Sequence, residues 1–404
     1  MTAPGETKGR ACAVLILLLL SGAASGQRAE VVREDYIIYQ DDTRYAAFPR
    51  LTQDDHDNLW VGFSWNTTGS HYGSVADGRS GYIWMSSPDG GQTWYMKGLD
   101  SQYQETREEL HAYKLSDGSL MRVSPLMHER FPMSKKAELL GRGIAVKEWP
   151  EGHISASFRV KIDYKPVERD EWDWSYAEIP TVASLGANSQ GSIVAGKIIM
   201  KPVYGISGLE DRARTAWLLR SGDAGASWDL ITMAFDGQFN FTEADILPLP
   251  GTNKVLAIIR ANTGAAGVNR AALGYLWQTN SKDSGKTWGA PTMTDMWGYP
   301  PDLLLLKDGS VLCTYGYRRP PYGIRASFSY DQGKTWDVQN EIIIRSDALS
   351  NGLGPGKGGI GDLGYPRTIE MKDGRLNTVY YITLGDGITH IAGTKWSRPG
   401  RYSR

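Results

Sequence analysis

The stretch SYDQGKTWD, residues 329–337, recurs in near copy three more times along the chain, as SPDGGQTW at 87–94, SGDAGASW at 221–228 and SKDSGKTW at 281–288. All four fit S-x-D-x-G-x-[TS]-W. The aspartate can accept hydrogen bonds from backbone N–H groups of its own turn, and the glycine two positions later can take a positive φ, so the pattern predicts a hairpin connection. The tryptophan then begins the outgoing strand and packs on its neighbours. Strand-like sequence leads into the copies, as in GYIWMS at 81–86 and ARTAWLLR at 213–220.

A second element alternates with the first: an apolar run, Asp-Gly, and another apolar run. It appears as KLSDGSL at 114–120, LLLKDGSVL at 304–312 and IEMKDGRL at 369–376. Each Asp-Gly predicts a tight hairpin between two inner strands. Together the two elements define a unit of strand, Asp-Gly turn, strand, loop, strand, S-x-D-x-G-x-T-W turn, strand. Four antiparallel strands repeated in this way make a propeller blade. The gap from Asp89 to Asp223 has room for a blade that has lost its copy, and a final unit after Trp336 also lacks one. The expected fold is therefore all-β: a six-bladed β-propeller of four-stranded antiparallel blades, with residues 31–40 closing the ring against the C-terminal blade.

Composition agrees. Fourteen Trp, twenty-one Tyr and forty-seven Gly among 404 residues suit a hairpin-rich protein and favour ring-shaped polar ligands such as sugars. A net charge of -1 with 22% charged residues gives no basic stripe for nucleic acid. At the N-terminus Lys8 and Arg10 precede an apolar run over residues 11–20 and small residues ending at Gly26. This reads as an export signal over residues 1–26, too short to span a bilayer, ahead of a propeller domain over 27–404. Cys12 lies inside the apolar run, away from a lipid-attachment position. A secreted or periplasmic protein without a lipid anchor or transmembrane segment is expected, and a monomer. Cys313 is the one cysteine beyond the signal, which excludes an internal disulfide.

Four such Asp boxes on a six-bladed plan resemble the sialidase (neuraminidase) superfamily, and the similarity covers nearly all of the chain after residue 26. The resemblance implies a site at the propeller axis, built from inner strands far apart in sequence, with the Asp boxes remote from it. It implies a nucleophilic tyrosine just before an inner strand of the last blade, which Tyr365 in GYPRT at 364–368 matches; Tyr299 in GYP at 298–300 repeats the local pattern one blade earlier. It implies a glutamate two blades before the tyrosine's and an arginine ending the next strand, matched by Glu243 and Arg260. An acid on the loop before the first Asp box corresponds to Asp77, and nearby His71 is an alternative acid or base. Of the three arginines that hold a substrate carboxylate, Arg260 supplies one and the stretch YRRPPYGIR at 317–325 another, with Arg325 preferred and Arg319 beside it. The third departs from the pattern: Ala47 stands where an arginine is expected, and strand alternation brings neither Arg44 nor Arg50 to that position.

If the resemblance extends to chemistry, Tyr365 attacks the anomeric carbon, Glu243 takes its proton and Asp77 serves as acid/base, with no metal or organic cofactor. The substrate would be a sialylated or uronic-acid-containing glycan. Two other readings stay open. One is a rhamnosidase or uronate lyase on a similar propeller, with His71 in the acid/base role. The other is a non-catalytic glycan-binding propeller in which Trp65, Trp84, Trp172 and Trp174 stack on sugars.

Overall fold

The computed structural model of the chain describes residues 32–69, 79–99, 112–115, 117–187, 192–194, 197–208, 210–211, 213–263, 273–349 and 362–398. After β1 (Arg33–Tyr39), the first blade is β2 (Tyr45–Gln53), β3 (Leu59–Asn66), β4 (Ser80–Ser87) and β5 (Tyr95–Leu99), hydrogen-bonded in that order. The second runs from β6 (Tyr113–Lys114) and β7 (Leu120–Pro125), past the short β8 (Glu129–Pro132) and β9 (Lys147–Trp149), to β10 (His153–Lys165) and β11 (Asp173–Val182). Its order is β6-β7-β10-β11, and β8 and β9 pair with the start of β10. The third is β12 (Ser184–Gly186), β14 (Ile198–Ile206), β15 (Thr215–Ser221) and β16 (Asp229–Ala234), with β13 (Ser192–Val194) also on β14.

The fourth blade is β17 (Phe239–Pro248), β18 (Val255–Thr263), β19 (Tyr275–Ser281) and β20 (Thr292–Trp297), and the fifth β21 (Pro301–Leu305), β22 (Val311–Tyr317), β23 (Gly323–Ser329) and β24 (Ile342–Arg345). The sixth is β25 (Gly364–Glu370), β26 (Leu376–Thr383) and β27 (Thr389–Trp396), completed by β1 antiparallel to β27 with Arg33 opposite Trp396. This is the six-bladed β-propeller expected, closed by the N-terminal strand.

Each Asp box joins the third and fourth strands of its blade, and its four copies share one hydrogen-bond plan. The Asp Oδ1 accepts the backbone N–H of the residue before the tryptophan at 2.9 Å in every copy, as at Thr93, Ser227, Thr287 and Thr335. The serine Oγ donates to the same carboxylate and accepts the glycine N–H, at 2.7 Å for Gly91 and 2.8 Å for Gly333. Gly333 sits at φ 80 after Gln332 at φ 64, a pair of left-handed residues that turns the chain sharply. A Cβ on Gly333 would lie 2.7 Å from Leu256 Cδ2, so packing as well as φ requires glycine. Trp94 and Trp228 directly precede an outgoing strand, whereas Trp288 and Trp336 are followed by a few residues outside the sheet before β20 and β24 begin. The tryptophans serve as anchors: Trp228 is buried and donates to Gly225 O at 3.0 Å, and Trp336 donates to Gln278 Oε1 at 2.8 Å.

The chain divides into two compact units. One comprises Met1–Gln104, Leu306–Phe328 and Gln339–Arg404, the other Glu105–Leu305 and Ser329–Val338. The core of the first gathers Ala46, Val61, Phe63 and Ile83 with Val379, Tyr381 and Ile391. In the second, one cluster joins Met200 and Leu218 to Ile246 and Ala257, and another joins Val160 and Ile162 to Val203 and Leu219. Each buried Val, Leu, Ile, Phe or Met side chain among them contributes about 1.5–3 kcal/mol. The insertion between β7 and β10 holds a short helix, Lys136–Gly141, and a small core of its own around Leu139, Ile154 and Phe158. Among the described residues no helix is long and apolar enough to cross a membrane. Cys313 is buried within β22 and forms no disulfide.

Candidate functional site

Three inner strands break register in their first half: β2 between Ala47 and Arg50, β17 between Phe241 and Ala244, and β25 between Gly364 and Arg367. A bulge inserts a residue against one partner and re-aims its side chain. Glu243 lies in the second of these breaks and Tyr365 in the third. Tyr365 takes φ 46 and Phe48, in the first, φ 59, each followed by a Pro-Arg pair. For a non-glycine residue such a conformation costs roughly 1–2 kcal/mol, so surrounding packing must hold it.

In the second unit, Glu243 is 7% exposed and its carboxylate accepts a hydrogen bond from Arg260 Nη1 on the neighbouring strand β18. Arg260 Nε also donates to Asn262 Oδ1 at 3.2 Å, and its guanidinium lies 4.3 Å from the centre of the Tyr299 ring. The glutamate and arginine paired by sequence thus meet as a buried ion pair capped by an aromatic face. Two residues along β17, Asp245 accepts the Leu303 N–H of β21 at 2.7 Å, which ties the inner strands of two blades together.

In the first unit, the residue alongside Tyr365 is Arg318, which directly follows β22. Its guanidinium stands 5.7 Å from the Tyr365 ring centre, and its Nε donates to Leu363 O at 2.8 Å. The Tyr365 ring also packs edge-on against Phe48, with centroids 4.7 Å apart. Behind them Asp362, 3% exposed, accepts the hydroxyls of Tyr45 and Tyr381, the latter at 2.5 Å. Burial, reinforced by the negative charge of Asp362, pushes both of those phenols well above the ordinary tyrosine range, so they stay protonated and donate.

Arg318 is the residue that sequence reasoning passed over in favour of its neighbours. A signal for it exists: the apolar run VLCTYGY is followed at once by Arg318 as VLAII is by Arg260, both runs belonging to the second strand of a blade. Arg325 lies instead on the third strand, β23, where Nη1 donates to Glu341 Oε2 at 3.0 Å and the guanidinium covers the Tyr317 ring at 4.2 Å. Glu341 also accepts Tyr315 Oη at 2.5 Å, so the group braces the outer part of the fifth blade. Arg319 is exposed and donates to Tyr317 Oη at 2.7 Å. Asp77 and His71 lie outside the described residues.

Ala47 is 1% exposed on β2, so a small apolar side chain fills the position where an arginine was sought. Arg44 is engaged elsewhere, donating to Tyr39 Oη at 3.0 Å with its guanidinium 4.6 Å from the Trp65 ring centre. Trp65 and Trp84 are buried, at 6% and 2% exposure, which removes them from the sugar-stacking set; Trp174 is exposed. Among the described residues no group of three or more His, Cys, Asp or Glu side chains is placed to hold a metal ion.

Comparison with known proteins agrees with this architecture. A solved protein of unknown function from Dyadobacter fermentans superimposes with a TM-score of 0.64 at 23% identity, covering 90% of this chain and 97% of that one. The NanB sialidase of Streptococcus pneumoniae gives 0.55 at 11% identity over 90% of this chain and 70% of its own, and a Hadza microbial sialidase 0.51 at 15% over 88% and 66%. At these identities the likeness establishes the sialidase-like fold. No functionally curated protein matches the chain. A family model, the BNR repeat-like domain, matches residues 175–378, half of the chain, and with four Asp boxes on six blades the chain belongs to that family.

Proposed function

We propose that the chain is an exported glycan-active hydrolase of sialidase type, with residues 1–26 removed and 27–404 forming the propeller. The observation that carries this reading is Tyr365: a tyrosine in the left-handed region, on a bulged inner strand, with the Arg318 guanidinium against its ring. An arginine so placed steadies the ring and favours negative charge building on its oxygen.

In this reading the sugar's own carboxylate repels an anionic nucleophile from the anomeric carbon, and a neutral phenol avoids that repulsion. Glu243 takes the phenolic proton while the tyrosine oxygen bonds the anomeric carbon and the glycosidic C–O bond breaks. Asp77 gives its proton to the leaving oxygen. Water then displaces the tyrosine, its proton passing to Asp77 and that of Glu243 returning to the phenol, so configuration is retained. Arg260 and Arg318 hold the substrate carboxylate through charge-assisted hydrogen bonds. Arg318 thereby takes the role that the resemblance gave to Arg325, while Arg325 braces β23 and Arg319 lies at the edge.

A second reading rests on Ala47. With Ala47 buried where an arginine was sought and Phe48 packed on Tyr365, the sugar acid is held by fewer arginines than sialic acid receives, which favours a uronate-containing glycan, with His71 as acid/base. The test is incubation of the mature chain with a fluorogenic sialoside and with a panel of uronate oligosaccharides. Release from the sialoside supports the first reading, release from the uronates alone supports the second, and turnover of neither sinks both.

A further inference from the structure

The second blade carries a feature that the proposed chemistry does not use. Its outermost strand, β11, exposes every residue from Asp173 to Tyr176, and among the described residues Trp174 is the most exposed tryptophan, at 63%. Trp174 and Tyr176 are two apart on the strand and so share a face. Their ring centroids lie 5.5 Å apart at 67°, and Tyr176 is held from one side by the Arg159 guanidinium 4.6 Å from its centre. An exposed tryptophan on an edge strand is unfavourable in water and invites a partner.

The strand beside it shows the charge of that partner. Trp174 pairs with Asp163 and Tyr176 with Lys161 across the β10–β11 ladder, so these side chains lie on the same face. Asp163 is 3% exposed and accepts from two cations, Lys161 Nζ at 2.6 Å and Arg122 Nη2 at 2.7 Å. One carboxylate between two cations leaves the face locally positive beside the aromatic pair. Flat apolar ring faces with hydrogen-bonding cations at their edge fit a chain of sugar rings bearing carboxylates.

We propose that this face is an accessory binding strip for an acidic polysaccharide, with Trp174 and Tyr176 as the stacking platform and Lys161 and Arg122 as its charge partners. It is independent of the hydrolase reading, whose assays use small substrates. The test is affinity electrophoresis of the full mature chain through gels containing polygalacturonate, polysialic acid or neutral laminarin. Retardation by one or both polyanions and not by laminarin is expected, and which polyanion acts identifies the acid. Trp174→Ala with Tyr176→Ala should weaken the apparent Kd about tenfold or more, a loss of about 1.4 kcal/mol. Lys161→Gln should weaken it less and flatten its salt dependence. Melting temperatures of the variants, and of Trp174→Ala alone, should stay with the wild type because the rings are exposed. No retardation, equal retardation by laminarin, or binding unchanged in the double variant would overturn the proposal. So would a dimer in sedimentation velocity that the double variant abolishes, since a second copy would then be what covers this face.

Discussion

The guanidinium of Arg318 stands 5.7 Å from the ring centre of Tyr365 and is fixed there by its Nε hydrogen bond to the carbonyl of Leu363, two residues before the tyrosine. A residue at the end of one blade's second strand thereby orients the opening residue pair of the next blade's inner strand. Because Tyr365 is in the left-handed region, its ring direction depends on such contacts more than on strand geometry.

Tyr365→Phe keeps the ring, its contact with Arg318 and its packing on Phe48, and removes only the nucleophilic oxygen. Turnover of the active substrate should fall at least about 10³-fold with an unchanged melting temperature. A variant that retains wild-type kcat would exclude the tyrosine as nucleophile.

Arg318 and Arg325 should separate by readout. Arg318→Lys keeps the charge and loses the planar fork, and should raise KM about tenfold or more with little change in stability. Arg325→Lys disturbs the brace with Glu341 and Tyr317, and should lower the melting temperature while KM holds. The reverse pattern would return the carboxylate-binding role to Arg325.

Arg260→Ala leaves the carboxylate of Glu243 buried without its main cation, and should cost about 3 kcal/mol of stability by denaturant titration. Glu243→Gln with Arg260→Met removes both charges. That double variant should be less destabilised than the sum of its single changes, with a coupling above about 1 kcal/mol in the cycle.

The Asp boxes should give the fold an acid limit. Hydrogen bonds from Ser227 and Ser221 hold the Asp223 carboxyl down at about 2, and those from Thr287 and Ser281 do the same for Asp283. A folded-state value below the unfolded one stabilises the fold while the group is ionised. That contribution is fully present above about pH 4 and is lost as pH falls toward about 2. Calorimetric melting temperatures of the wild type should drop across this window more steeply than those of Asp223→Asn, which carries no titrating group there.

Gly333→Ala places a Cβ against Leu256 in a left-handed turn, and should destabilise by about 1–3 kcal/mol. Adding Leu256→Ala opens the space and should lower the further penalty of the glycine change, without removing the cost of φ. Equilibrium unfolding of the four proteins in the cycle measures both parts.

Local sequence determined the blades. Each Asp box closes its own turn through hydrogen bonds spanning four residues, and each Asp-Gly hairpin forms from adjacent strands, so Asp331 and Gly333 announce their roles without reference to the rest of the chain. The Glu243–Arg260 pair was legible for the same reason, because β17 and β18 are consecutive strands and their register follows from one short hairpin. Tertiary structure alone decided the rest. Arg318 rather than Arg325 adjoins Tyr365 because the loop after β22 carries Arg318 back to Leu363, 45 residues away, while the next strand commits Arg325 to Glu341. Trp65 and Trp84 are buried where Trp174 is exposed, although all three sit in similar aromatic strand sequence, because burial depends on which strand of the blade is covered by a neighbour. Turn chemistry is written within a few residues, and the choice among equivalent arginines and tryptophans depends on contacts between segments that the sequence does not place side by side.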